Sequence, residues 1–220
     1  MSQSIVRRLI AKDLYLYRWM IVGAAVTGIA ALFVTGIHEI TGLILFLTTI
    51  VALGVFIAMY GFLVERKEKS LLFVLSLPVS PMQYTTAKIL AALIAFLVPW
   101  TLLLVTVIAV NFAFDPPPDG NIPFTIAMMF LFLANFCILI ALLLTTGSEA
   151  WAIAGILVTN FSVPVFMNTV RGLPGIGEHV DGPVAVWSTA ILTALGIQAA
   201  VIVLSLGLAF YVQSRKKDFV

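Results

Sequence analysis

Six long apolar stretches alternate with short polar segments along the chain. An α-helix needs roughly 20 apolar residues to cross a bilayer, and each stretch is about that long or longer. We place them at about 19–37, 42–64, 87–112, 122–145, 150–170 and 184–212. The pattern predicts an all-α integral membrane protein in which residues 1–220 form a single transmembrane domain.

The amino-acid composition agrees with a protein that is embedded in a lipid bilayer. Hydrophobic residues make up 62% of the chain, and only 10% of the residues are charged. Soluble domains average about 25% charged residues. A soluble core of this size could not hide so much apolar surface, so the solvent around most of the chain must be lipid.

The positive charges predict the orientation. Eleven of the twelve Lys and Arg residues fall on one side of the predicted membrane, and Arg171 is the exception. The eleven are Arg7, Arg8, Lys12, Arg18, Arg66, Lys67, Lys69, Lys88, Arg215, Lys216 and Lys217. Cytoplasmic loops carry such an excess of cations. Both termini are therefore predicted to be cytoplasmic.

An amphipathic helix is predicted before the first span, over residues 4–18. Apolar residues such as Ile5, Leu9 and Ile10 recur at helical spacing, while Arg7 and Arg8 take other faces. Such a helix lies in the membrane interface. The pattern leaves open whether it is a dedicated contact surface or an ordinary basic anchor.

A second cytoplasmic helix is predicted at Glu65–Leu77. Five consecutive charged residues precede a leucine-rich run that is too short to span, and Pro78 stops the helix. Ser80, Pro81 and Gln83 then have the pattern of a capping box that starts the next helix. The alternative is a basic loop that only satisfies the charge rule, but the stop and cap favour a separate helix.

The sequence also predicts features at the two ends of the fifth span. Ser148 is predicted to cap the fifth span, with Glu149 beside the positive end of the helix dipole, so this acid has a structural reason to be there. The outer segment Arg171–Pro183 is long enough for a re-entrant element and equally suits a plain loop.

The sequence contains no recognisable catalytic chemistry. It has no phosphate-binding loop, no His-Glu-x-x-His zinc motif and no ionisable residue clearly in the middle of a span. We therefore predict no enzyme activity, no metal and no cofactor in this chain. Energy-driven work would need a partner that binds ATP and magnesium.

Neutral polar groups and small residues are found inside the spans. Asn135, Asn160 and Ser162 either bond neighbouring helices or line a path for an amphipathic substrate, and packing is the commoner role. Small residues four apart predict close helix contacts. They are Gly23/Thr27, Ala24/Gly28 and Gly54/Ala58.

The stretch from Glu65 to Leu93 resembles the cytoplasmic loop of small six-span permease subunits of ABC-type exporters. The similarity rests on the charged run, the sequence Leu-Leu-Phe-Val-Leu-Ser-Leu-Pro-Val-Ser and the following Tyr84 and Lys88-Ile89-Leu90. The ends, Lys12-Asp13-Leu14 and 215–219, also look like those of that family.

The resemblance implies the fold of G-type exporters, with residues 4–18 as a connecting helix and 65–77 as a coupling helix that docks on a cytoplasmic ATPase. The residues implied in ATPase coupling are Glu65, Arg66, Glu68, Leu72 and Phe73. The second span is also similar to that of G-type multidrug exporters, which implies that Thr49, Ile50 and Leu53 face the substrate. Ile50 and Leu53 replace an asparagine and a phenylalanine there, so the drug-binding chemistry does not carry over.

The most specific hypothesis is thus the permease of an ATP-driven exporter in a prokaryotic plasma membrane. Its expected partners are an ABC ATPase, a second permease copy or a paralogue, and lipid, with no nucleic acid. Its predicted substrate path comprises Thr49, Ile50, Leu53, Asn160 and Ser162. The alternative is a non-transport membrane subunit, either an assembly factor or a scaffold.

Overall fold

The computed structural model describes residues 2–64, 80–112, 119–173, 176–180 and 182–215. Within these ranges the regular structure is entirely helical, and six helices are long and apolar enough to cross a membrane. They are α1 (Ser2–Thr35), α2 (Glu39–Ala58), α3 (Pro81–Asn111), α4 (Asn121–Thr146), α5 (Glu149–Arg171) and α6 (Thr189–Arg215). The prediction of an all-α fold with six long apolar helices is confirmed.

The N-terminal part of the chain is continuous with the first span. Residues Ser2–Thr35 form one helix of 34 residues, with no break near position 18. No proline or glycine lies between Ser2 and Met20, so nothing in the sequence interrupts the backbone hydrogen bonds there. The interfacial location of residues 4–18 stays a prediction.

The end of α2 changes its winding. After Ala58 the chain continues as a π-helical segment over Met59–Val64, which leads directly into the predicted coupling segment. Short π-helical segments are rare and often occur at functional sites.

The two helix starts for which a serine cap is predicted, those of α3 and α5, differ in their capping. Ser80 forms the predicted capping box, since its hydroxyl accepts from the Gln83 amide at 3.2 Å and its own amide donates to Gln83 Oε1 at 3.1 Å. The prediction for Ser148 is wrong, because its side chain makes no cap hydrogen bond. The chain turns instead through Gly147, whose positive φ of 61° is easily reached by glycine, and Glu149 follows in the first turn of α5.

The core is centred on α4, which packs against α6, α5, α2 and α3. Polar side chains of neighbouring helices bond to its carbonyl groups. Trp100 of α3 donates to Met129 O at 2.8 Å, and Gln198 of α6 donates to Ala127 O at 3.0 Å. Hydrogen bonds between helices hold a bundle together where lipid gives no hydrophobic driving force.

The close helix contacts predicted at small residues are found at two of the glycines and not at a third. A Cβ at Gly28 would lie 2.6 Å from Leu103 Cδ2, and Gly54 lies against Phe96 and Phe136, so these positions are close helix contacts as predicted. A Cβ at Gly23 would have no described heavy atom of another helix within 4 Å, so the close contact predicted there is not formed within the described part of the chain.

The segment after α5, for which a re-entrant element or a plain loop is predicted, has turns and bends in its described residues. Ile176 and Val180 are buried, and the carbonyl of Gly182 accepts from the amide of Gly120 at 2.9 Å. A Cβ at Gly120 would collide with the carbonyl of His179. The segment therefore packs closely over the start of α4.

Candidate functional site

The residues of the predicted substrate path are only partly brought together. Ile50 and Leu53 are buried, Thr49 is half-buried with its hydroxyl donating to Leu45 O at 2.8 Å, and Asn160 is exposed. Ile50 and Asn160 line one small cavity between α2 and α5. Thr49 and Leu53 are not among the residues that line it.

This cavity has room for little more than a water molecule. Its volume is about 30 Å³, and Phe96 and Phe136 stack beside it with ring centroids 4.2 Å apart. Gly54 of α2 lies against both rings, so α2, α3 and α4 are in close contact at this level. A substrate could pass here only if α2 moved relative to the other helices.

Ser162 is part of a hydrogen-bond network between α4 and α5. Asn135 Nδ2 donates to Ser162 Oγ at 2.9 Å and to Thr159 O at 3.1 Å. Ser162 Oγ in turn donates to Thr159 O at 2.7 Å. These contacts favour helix packing as the role of Asn135 and Ser162, and the place of Ser162 in a substrate path stays a prediction.

The residues predicted to contact an ATPase lie outside the described part of the chain. These are Glu65, Arg66, Glu68, Leu72 and Phe73. Both ends of their segment are described, however: the π-helical Met59–Val64 before it, and the Ser80 cap with the start of α3 after it.

The first of these ends is held by α1. Gly61 lies so close to the hydroxyl of Tyr17 that a Cβ at position 61 would collide with Tyr17 Oη. Tyr17 itself is only 4% exposed. The π-helical segment and α1 can approach this closely because position 61 has no side chain.

The second end is held by a buried ion pair. Lys88 Nζ of α3 lies 3.0 Å from Asp13 Oδ2 of α1, and the two side chains are 5% and 2% exposed. Asp13 Oδ1 lies 3.2 Å from Lys12 Nζ, whose side chain is 44% exposed. A small apolar cluster that includes Leu9 and Ala87 packs beside the pair. Such a pair is expensive to desolvate, and losing either partner leaves an uncompensated buried charge.

Asp13 and Tyr17 lie four residues apart and therefore on the same face of α1. The ion pair and the Tyr17–Gly61 contact together form what we call the α1 clamp: Asp13, Tyr17, Gly61 and Lys88. One face of one helix thus fixes the last described turn before residues 65–79 and the first turns after them.

The sequence interpretation did not identify this clamp. It counted Lys88 among the cytoplasmic cations and gave Asp13 no role beyond a family-like N-terminus. One feature of the sequence does point to it. Asp13 follows Leu9 and precedes Tyr17 at intervals of four, so an acid occupies the apolar stripe of the helix and needs a buried cation.

Comparison with known proteins identifies a family that the chain matches. Residues 8–216 match the sequence model of a family described as "ABC-2 family transporter protein", and the matched range includes parts or all of each of the six helices. No curated protein and no solved structure matches the chain significantly.

Proposed function

The chain belongs to the ABC-2 family of transporter proteins, and from this membership we propose that it is the permease subunit of an ATP-driven exporter. It is a multi-pass membrane protein of a family whose members are transport components and are generally paired with an ATPase subunit. The observation that carries the proposal is the family match over residues 8–216 together with six candidate spans.

The α1 clamp supports a role in transmitting force from a partner. We place the docking surface for a cytoplasmic ABC ATPase on residues 65–77, with ATP and magnesium bound by that partner. Because α1 is attached to the chain on both sides of this segment, a displacement of the segment is passed to α1, α2 and α3 together. Without these contacts, a displacement of the segment would pass to α2 and α3 through the backbone alone and not directly to α1.

Transport would then require α2 to move away from α4 and α5 at this cavity. In the closed arrangement Ile50 and Asn160 share a cavity of about 30 Å³, which is too small for a substrate. Movement of α2 by the clamp would widen this space. A second permease, either a copy of this chain or a paralogue, would complete the path.

We also propose a direction and a location for transport, and the charge pattern supports the orientation that they require. The cation excess predicts that the clamp end of the bundle is cytoplasmic, where an ATPase would dock. Export across a prokaryotic plasma membrane is the arrangement that fits this orientation.

The test is a pull-down of the partner ATPase from native membranes, beside a transport assay. Phe73→Ala, and separately Glu65→Ala with Arg66→Ala, should leave membrane insertion intact and weaken ATPase docking. A hot-spot aromatic contributes about 2 kcal/mol or more, which corresponds to roughly a 30-fold loss of affinity.

Asn160→Ala is the matched control, since it lies far along the chain in α5. It should bind the ATPase normally and change substrate-stimulated ATP hydrolysis. The purified chain alone should not hydrolyse ATP. If both loop variants bind the ATPase and transport normally, the coupling role of residues 65–77 is wrong.

A further inference from the structure

A second and much larger cavity lies at the opposite end of the bundle from the α1 clamp. Its volume is about 460 Å³, within the roughly 300–1,000 Å³ typical of small-molecule sites. It is enclosed by the end of α1, the start of α2, the end of α3, the start of α4 and the end of α5. None of the predicted substrate-path residues lines it.

The cavity is polar at its rim and apolar in its depth. Glu39, Asn111, Asn121 and Arg171 lie at helix ends around the rim. Phe132 lines it eleven residues further along α4 than Asn121, which is about 16 Å at 1.5 Å per residue. A ligand that fills the cavity would therefore have a polar head and one apolar chain.

Both signs of charge face the cavity. Arg171 lies with its guanidinium carbon 5.1 Å from the centre of the Phe124 ring, and Glu39 lies in the first turn of α2. Among the residues that the structure describes, neither side chain makes an ion pair. A purely anionic head group would be repelled by Glu39, and a purely cationic head group would be repelled by Arg171. A head group that carries both charges complements the rim.

Asn111 gives an independent indication of a ligand. It is 8% exposed and lines the cavity, and its Nδ2 has no hydrogen-bond partner among the described residues. An unsatisfied buried donor costs about 1–3 kcal/mol. A phosphate, carboxylate or ester oxygen of a ligand would accept from it.

We infer that this cavity binds a single-chain zwitterionic amphiphile, of the lysophospholipid type, with its anionic group at Arg171 and Asn111, its cationic group at Glu39 and its chain between α2 and α4. The site does not depend on an ATPase partner. The same ligand chemistry has two sources, a resident membrane lipid or the exported cargo.

Binding is tested on the full chain in nanodiscs, without an ATPase. The probes share one acyl chain: lysophosphatidylethanolamine, lysophosphatidylglycerol and an alkylammonium. The wild type should bind the zwitterionic probe most tightly, by tenfold or more. Arg171→Gln should move the preference to the alkylammonium, and Glu39→Gln should move it to lysophosphatidylglycerol.

Matched controls separate binding from folding. Arg215→Gln removes an arginine that stacks on an aromatic ring as Arg171 does, with its guanidinium carbon 4.8 Å from the centre of the Tyr211 ring. Glu178→Gln removes an acid that does not line the cavity. Both should bind as the wild type does. Asn111→Leu should keep the thermal stability and lose about tenfold in affinity, because it removes an unpaired donor.

Thr125→Trp, which fills the cavity, should abolish saturable binding. Equal binding of the three probes, or preferences unchanged in the Arg171 and Glu39 variants, would overturn the inference. A second arm adds the ATPase and ATP: transfer of the probe across the bilayer identifies cargo, and retention identifies a resident lipid. Failure to find an ATPase partner would count against the proposed function and leave the binding result standing.

Discussion

At the scale of single residues, the carboxylate of Asp13 and the ammonium of Lys88 each make the burial of the other tolerable. Their side chains are 2% and 5% exposed and meet at 3.0 Å. Neither charge would be stable in this environment by itself, because desolvation of an unpaired ion is costly. The pair fixes the rotation of α1 relative to α3.

Removing one charge of this pair should destabilise the protein strongly. We expect Asp13→Asn to cost about 3–5 kcal/mol, since Lys88 is left buried without its counter-ion. The thermal unfolding midpoint in detergent should fall, whereas Lys12→Gln should have little effect because the Lys12 side chain is 44% exposed.

The double variant Asp13→Asn with Lys88→Met should recover much of the loss, because no buried charge remains. The single variant Lys88→Met completes the comparison. If the stability losses of Asp13→Asn and Lys88→Met simply add in the double variant, the two side chains are not coupled as the structure places them.

Asn135 and Asn160 are both amides in predicted spans, yet they should respond differently to substitution. Asn135→Ala removes bonds to Thr159 O and Ser162 Oγ, so we expect a loss of about 0.6–2 kcal/mol in stability. Asn160 is exposed, and Asn160→Ala should leave the unfolding midpoint unchanged. An equal loss of stability in both variants would contradict the assignment of Asn135 to packing.

At the scale of elements, the π-helical segment after α2 depends on close contact with α1. Gly61→Ala places a methyl group against Tyr17 Oη, and we expect an overpacking cost of about 1–3 kcal/mol together with weaker ATP-driven transport. Adding Tyr17→Phe removes the oxygen and should restore both properties.

Gly196→Ala is the control, because a Cβ there has no described heavy atom within 4 Å. It should keep both the stability and the transport rate. If Gly61→Ala behaves like Gly196→Ala, the contact with Tyr17 does not hold the segment.

At the scale of the whole molecule, the orientation in the membrane is open to direct measurement. In a Cys137→Ala background, Glu178→Cys should react with an impermeant thiol reagent in intact cells, and Lys67→Cys should not. Glu178 is exposed, whereas the neighbouring Gly177 is unsuitable because a Cβ there would collide with the Arg171 carbonyl. Labelling of Lys67→Cys from outside would contradict the predicted cytoplasmic termini.

The sequence by itself determined the fold class, the six apolar helices, the Ser80 capping box and the resemblance to ABC-type permeases. These properties depend on residues close together along the chain: apolar length, caps and a local motif. The same local patterns did not predict which small residues contact another helix, because that depends on residues far apart along the chain. Gly23 and Gly28 have similar sequence surroundings, but only Gly28 faces Leu103.

Only the tertiary structure decided which polar groups meet. The pairing of Asp13 with Lys88, the contact of Tyr17 with Gly61, the Asn135–Ser162 network and the polar rim around Asn111 all depend on how the helices are rotated and set against each other. A helix pattern gives the face on which a residue lies but not the element that this face meets. Packing between residues far apart along the chain decides which element that is, so the clamp and the larger cavity at the opposite end of the bundle are visible only in the tertiary structure.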